Sequence, residues 1–168
     1  MKYAGIIKND LAAGPGVCVS FFTQGCPHHC RGCHNPETWD FDGGKEFTPI
    51  VIEEIDKALD ANGVHRDFCL LGGEPLCDEN LFLSHLILEH VKIIHPEVKT
   101  YIWSGYTYEQ LMERAAASAS LRRVLELADI LIDGPFIQEQ RDITLHMRGS
   151  RNQRIWDLKT KKELKELE

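Results

Sequence analysis

The 168-residue chain has no apolar run approaching the roughly 20 residues that cross a bilayer, and no membrane partner is expected. It also lacks an excess of positive charge: 19 Lys and Arg stand against 26 Asp and Glu, for a net charge of −7. Binding along a phosphate backbone needs clustered cations, so nucleic acid is not an expected partner. The opening MKYAGIIKND has no signal-peptide core before Asp10, and the expectation is a soluble, cytoplasmic protein. Internal repeats and low-complexity segments are absent as well. With no secretion signal, the six cysteines read better as metal-binding or redox residues than as a disulfide framework.

What is present is enough apolar sequence, 43% of residues, to bury one core, so residues 1–168 are expected to form a single domain. Four short β-rich runs stand out: Val17 to Thr23, Phe68 to Leu71, Thr100 to Trp103 and Ile130 to Ile132. Each ends at a small or polar cluster. Helical patterns fill the gaps. Thr48 and Pro49 open one with apolar residues at Ile52, Ile55 and Leu59. A second runs from Asp78 to His95 and is closed by Pro96; a third spans Thr107 to Leu127, with a possible break at Ser118 to Ser120. Alternating strands and helices predict an α/β fold with a parallel sheet, and about four βα units are too few for an eight-unit barrel, which leaves a partial, open (βα) barrel. The charged end, residues 157–168, reads as a surface helix or a frayed tail.

Cys26, Cys30 and Cys33 crowd into one predicted loop. Three chemistries compete for them. Structural zinc needs a closed set of four ligands, with His28, His29 or His34 as the fourth. A four-cysteine cubane would draw on Cys18, Cys69 or Cys77. Cys18 and Cys69 sit in apolar strand runs, where a buried thiol is the ordinary case, whereas Cys77 follows the GGEP turn close to the same strand ends. The third chemistry is an iron–sulfur cluster left with one iron open for a ligand.

These residues resemble a known family. Cys26, Cys30 and Cys33 match the CxxxCxxC signature of the radical S-adenosylmethionine (SAM) superfamily, carried there on the loop after the first barrel strand. Gly72, Gly73, Glu74 and Pro75 look like its GGEP element. IWSGY (102–106), DILIDGPF (129–136) and RGSRNQRIW (148–156) resemble the activating proteins of anaerobic ribonucleotide reductases. Gly32 departs from many relatives, which place an aromatic residue just before the third cysteine.

The resemblance implies a [4Fe–4S] cluster on the three thiolates, its open iron chelated by SAM. One electron, from a flavodoxin- or ferredoxin-like donor, would cleave SAM to methionine and a 5′-deoxyadenosyl radical, which takes a hydrogen atom from a glycine Cα of an anaerobic ribonucleoside-triphosphate reductase. It further implies that Gly72 and Gly73 permit close approach to SAM, that Glu74 helps to hold the SAM amino end, and that Ser104 and Asp133 are candidates for the SAM site, Asp133 also for an associated cation. Asn152 and Arg154 fall near SAM or at a docking rim for the reductase, with Arg151 and His28 and His29 beside them. The ordinary readings of these residues are turns after strands, a helix-start carboxylate and loop groups. Trp39, Trp103 and Trp156 read as packing residues. Activases of other glycyl-radical enzymes often carry a ferredoxin-like insertion, for which this chain has no room; a zinc-binding adaptor is the alternative from a different class.

Overall fold

The computed structural model describes residues 1–165. Its frame is one open sheet of eight strands with helices between them. In chain order the strands are β1 (Lys2–Asp10), β2 (Cys18–Thr23), β3 (Lys45–Glu46), β4 (Asp67–Gly72), β5 (Thr100–Trp103), β6 (Ile130–Asp133), β7 (Arg154–Asp157) and β8 (Lys162–Leu164). The helices are α1 (Pro49–Leu59), α2 (Asp78–Ile94), α3 (Tyr108–Ala117) and α4 (Ala119–Leu127). The sheet order is β3-β1-β2-β4-β5-β6-β7-β8. The four strands read from the sequence, β2, β4, β5 and β6, are the parallel centre. Antiparallel strands flank it on both sides, which a purely parallel sheet did not anticipate.

The parallel centre is buried on both faces, as expected for strands joined by helical crossovers. Because side chains alternate across a strand, Val19, Phe21, Phe68, Leu70, Ile102 and Leu131 face the helices and join Ile55, Leu83, Ile87, Leu111 and Val124 in the larger core. Their neighbours Cys18, Cys69, Tyr101, Ile130, Ile132 and Ile155 form a second core on the other face, against Ala13 and Met147.

Helix ends follow local chemistry. Thr107 caps α3 in a reciprocal box: its hydroxyl accepts from the Gln110 amide (3.3 Å), and the Gln110 side chain accepts from the Thr107 amide (2.9 Å). The suspected break in the third helix is real. Ser118 adopts an extended conformation that ends α3, and its hydroxyl accepts from the Leu121 amide (3.2 Å) to start α4. The C-terminal reading is corrected: residues 157–165 are neither helix nor frayed tail. They enter a hairpin in which β7 pairs with β8 around a turn where Asp157 Oδ1 accepts from the amides of Lys159 (2.8 Å) and Thr160 (3.0 Å). Residues 166–168 lie outside the described residues.

Candidate functional site

The carboxyl ends of β2, β4, β5 and β6 open on one side of the sheet, the position where α/β folds bind ligands. A cavity of ≈ 250 Å³ lies there. Its walls include Cys26, Cys30 and Cys33, the turn Gly72, Gly73 and Glu74, Ser104 after β5, and Gly134, Phe136, Met147 and Gln153 from the β6–β7 connection. The three clustered cysteines of the sequence motif therefore share one cavity with the GGEP turn. The other three do not line it.

The cysteine loop leaves β2 and is stapled in place through its backbone. The Gly25 amide donates to the Thr38 carbonyl (2.7 Å) and the Cys26 amide to the Trp39 carbonyl (3.1 Å). On the other side, the Gly25 carbonyl accepts from the Glu74 amide (2.8 Å) and from the Asn80 side chain (3.0 Å). These bonds need close approach. A Cβ on Gly73 would collide with the Gly25 carbonyl oxygen, and Gly72 holds a φ of +108° against Phe22. What the missing side chains admit is thus the backbone of the cysteine loop itself.

Glu74 is 1% exposed, and both of its oxygens are engaged. Oε1 accepts from the Leu76 amide (2.9 Å) and the Ser104 hydroxyl (2.9 Å); Oε2 accepts from the Gly105 amide (2.6 Å) and faces His28 Nε2 (2.8 Å). Ser104 thus serves Glu74, and its oxygen also accepts from the Tyr106 amide (3.1 Å). Asp133, Asn152 and Arg154 are not among the cavity walls. Asp133, fully buried, accepts from the Tyr108 amide (2.6 Å) and forms an ion pair with Arg154 (2.6 Å), whose guanidinium also pairs with Glu109 (2.7 Å). Asn152 donates to the Pro135 carbonyl (2.7 Å) and accepts from Ser150 (2.6 Å). These three brace the β6–β7 connection beside the cavity.

At Gly32, φ is +78°, and a Cβ would run into the Gln138 side chain, with the Phe136 ring at 3.3 Å. The β6–β7 connection fills the space that an aromatic at this position would need. The same two loops are tied by an Arg31–Glu139 ion pair. The sequence reading placed Asn152 of this connection near SAM or at a docking rim but missed Phe136, Met147 and Gln153 as walls of the site, as well as Trp39 and Trp103, both of which border the cavity.

Burial pushes the Cys26 thiol up to about 11, partly offset by the backbone N–H groups of His28 and His29, and it raises Cys30 as well. Both are therefore thiols that a metal must deprotonate on binding. Cys77 is different. It is 1% exposed, burial pushes it up to about 12, and its Sγ donates to the Glu74 carbonyl (3.1 Å). Cys18 and Cys69 lie in the second core, where the hydrogen bond with Cys18 and burial push Cys69 up.

The cavity suits an iron–sulfur cluster by its donors. Three cysteines, none in a disulfide, line one half-enclosed space. The indole N–H of Trp39, on the same wall, is buried with no hydrogen-bond partner among the described residues. Among those residues, no three of His, Cys, Asp and Glu converge as they would around a single ion. A cubane asks for less convergence, because each thiolate meets a different iron.

Comparison with known proteins points to the same kind of cluster. Residues 12–156 match the family model described as a 4Fe-4S single cluster domain. The anaerobic ribonucleoside-triphosphate reductase-activating protein of Vibrio cholerae is 35% identical over 156 residues, covering 92% of this chain and 97% of that protein. Its counterpart in Escherichia coli K12 is 31% identical over 160 residues, 95% of this chain and all of that protein. The protein of the same name from enterobacteria phage T4 is 32% identical over 156 residues, 93% and 94% of the two chains. With its cysteine cavity and near full-length similarity, the chain belongs to the family of anaerobic ribonucleoside-triphosphate reductase-activating proteins.

Proposed function

We propose that this protein activates an anaerobic ribonucleoside-triphosphate reductase by radical SAM chemistry. The observation that carries the reading is the meeting of Cys26, Cys30 and Cys33 with the Gly73–Glu74 turn in one cavity at the carboxyl ends of the parallel strands. The three thiolates would hold a [4Fe–4S] cluster and leave one iron without a protein ligand. When bound, the cluster and SAM supply the one-electron cleavage of the sulfonium and the hydrogen-atom abstraction that leaves a glycyl radical on the partner.

The chain's own contribution is placement. The bonds from Gly25 and Cys26 to Thr38 and Trp39 fix where the first thiolate stands, and those from Glu74 and Asn80 fix the loop against β4. Phe136 and Met147 give the cavity an apolar wall that limits water around a reactive radical. We read the open sheet as the partial barrel of this superfamily, with its mouth wide enough for a segment of the reductase. A flavodoxin- or ferredoxin-like protein is the proposed electron donor, and the cytoplasm the proposed location.

Anaerobic reconstitution tests the reading. About four irons with matching sulfide per chain are expected. Adding SAM, a reductant and the reductase should then yield a glycyl-radical signal by electron paramagnetic resonance. One zinc per chain without sulfide would overturn the cluster assignment, and a loaded cluster without radical on the reductase would overturn the activase assignment.

A further inference from the structure

His28 stands between the first two cysteines of the motif and lines the same cavity, with its ring nitrogen Nε2 committed to Glu74. Its side chain is 18% exposed, and Nε2 lies 2.8 Å from Glu74 Oε2. Three other donors already aim at that carboxylate: the amides of Leu76 and Gly105 and the hydroxyl of Ser104. A carboxylate so surrounded is an acceptor, so Nε2 carries the proton and donates. The ring is also gripped on its sides. It meets Tyr106 edge to face at 4.5 Å, and a Cβ on Gly105 would strike it. Arg114 in turn covers the Tyr106 ring at 4.3 Å.

The backbone of the same residue lies between the first two thiols, since His28 sits two residues after Cys26 and two before Cys30. His29 takes a left-handed φ of 48°, and its ring packs against Trp39 at 4.9 Å. One residue therefore spans both parts of the site. Its ring is locked to the end of β4, and its backbone joins the first thiol to the second.

We infer that His28 is a positioning residue, which through its bond to the buried Glu74 carboxylate fixes the Cys26–Cys30 arm against the turn after β4. This rests on the cluster reading above and goes beyond it, since it assigns Glu74 to the cysteine loop through His28. A negative charge beside a cluster lowers its reduction potential. The two partners therefore differ in what their loss changes. Loss of the His28 ring frees the arm and lowers iron loading. Loss of the Glu74 charge with its shape retained moves the potential up.

Three variants, His28→Ala, His28→Gln and Glu74→Gln, would be reconstituted anaerobically and titrated by spectroscopic redox potentiometry without SAM or reductase, alongside iron content. His28→Ala should load less iron than wild type, Glu74→Gln should show a more positive potential, and His28→Gln, whose amide can donate at the same reach, should return iron loading toward wild type. Should His28→Ala fail to load iron, a His28→Gln protein that loads at the wild-type potential would still support the positioning role. Loss of the cluster in both His28 variants would make the ring a ligand and overturn the inference. Wild-type iron content in His28→Ala, or an unchanged potential in Glu74→Gln, would overturn it too. A wild-type chain that takes up no iron and sulfide would instead sink the cluster reading on which the inference rests.

Discussion

At the scale of single residues, six cysteines of one chain are sorted by their surroundings. Cys26, Cys30 and Cys33 are partly exposed to a common cavity, whereas Cys18, Cys69 and Cys77 are buried elsewhere. Replacing any of the first three with Ala should abolish a stable cluster. Cys77→Ala should keep it, at a cost of about 1 kcal/mol from the lost bond to the Glu74 carbonyl. Iron and sulfide analysis with thermal melts checks both outcomes, and a Cys77→Ala protein without iron would restore the four-cysteine cubane. The spacing of the cysteine motif made the first group legible in the sequence. The role of Cys77 was not legible, because burial and a donor bond to its own turn are properties of the folded neighbourhood. The His28–Glu74 contact was hidden for a similar reason: its partners are 46 residues apart, and only the adjacency of β2 and β4 brings them together.

At the scale of elements, the turn after β4 and the strand β7 both act as braces. Because a Cβ on Gly73 meets the Gly25 carbonyl, Gly73→Ala should shift the cysteine loop, lowering iron loading together with stability by about 1–3 kcal/mol. Reconstitution and denaturant unfolding read both, and normal iron with a selective loss of SAM binding would return the turn to a direct role toward SAM. In β7, Arg154→Ala would leave the buried Asp133 without its cation, at about 3 kcal/mol. The Arg154 side of this network also has a pH signature. The guanidinium holds the Glu109 carboxyl at about 2, below its ordinary 4.5, so the contribution of this exposed pair is complete above 4.5 and is lost as pH falls through about 2. Solvent screening keeps it small. Glu109→Gln should cost about 0.5 kcal/mol near neutral pH, with the gap to wild type closing between pH 5 and 2 in urea unfolding of the reduced, metal-free chain. Arg154 entered the sequence reading as a docking or SAM contact because its strand and its two acidic partners, on α3 and β6, are far apart along the chain.

At the scale of the whole molecule, the sequence disclosed the parallel centre and concealed the edges. β2, β4, β5 and β6 are buried on both faces and read as short apolar runs, so their boundaries fell within one residue. β1 escaped because its pairing with β2 is interrupted twice by register shifts, which break the alternation a strand reading depends on. β8 escaped because Lys162 and Glu163 are exposed, as suits a short charged edge that resists pairing with other chains. The hairpin nevertheless belongs to the structure: Leu158 joins the larger core, Leu164 packs against the second, and Lys159 reaches the Glu126 carbonyl at the end of α4. A chain ending at Asp157 should therefore lose about 2–5 kcal/mol, the range for removing one large buried side chain. It should also load less iron, since β7 anchors the connection that walls the cavity with Phe136, Met147 and Gln153. Melting temperature and iron content of the truncated protein, measured beside a chain ending at Lys165, check this. Equal values in the two would mean that residues 158–165 contribute nothing to the fold or the site, as the frayed-tail reading of the sequence requires.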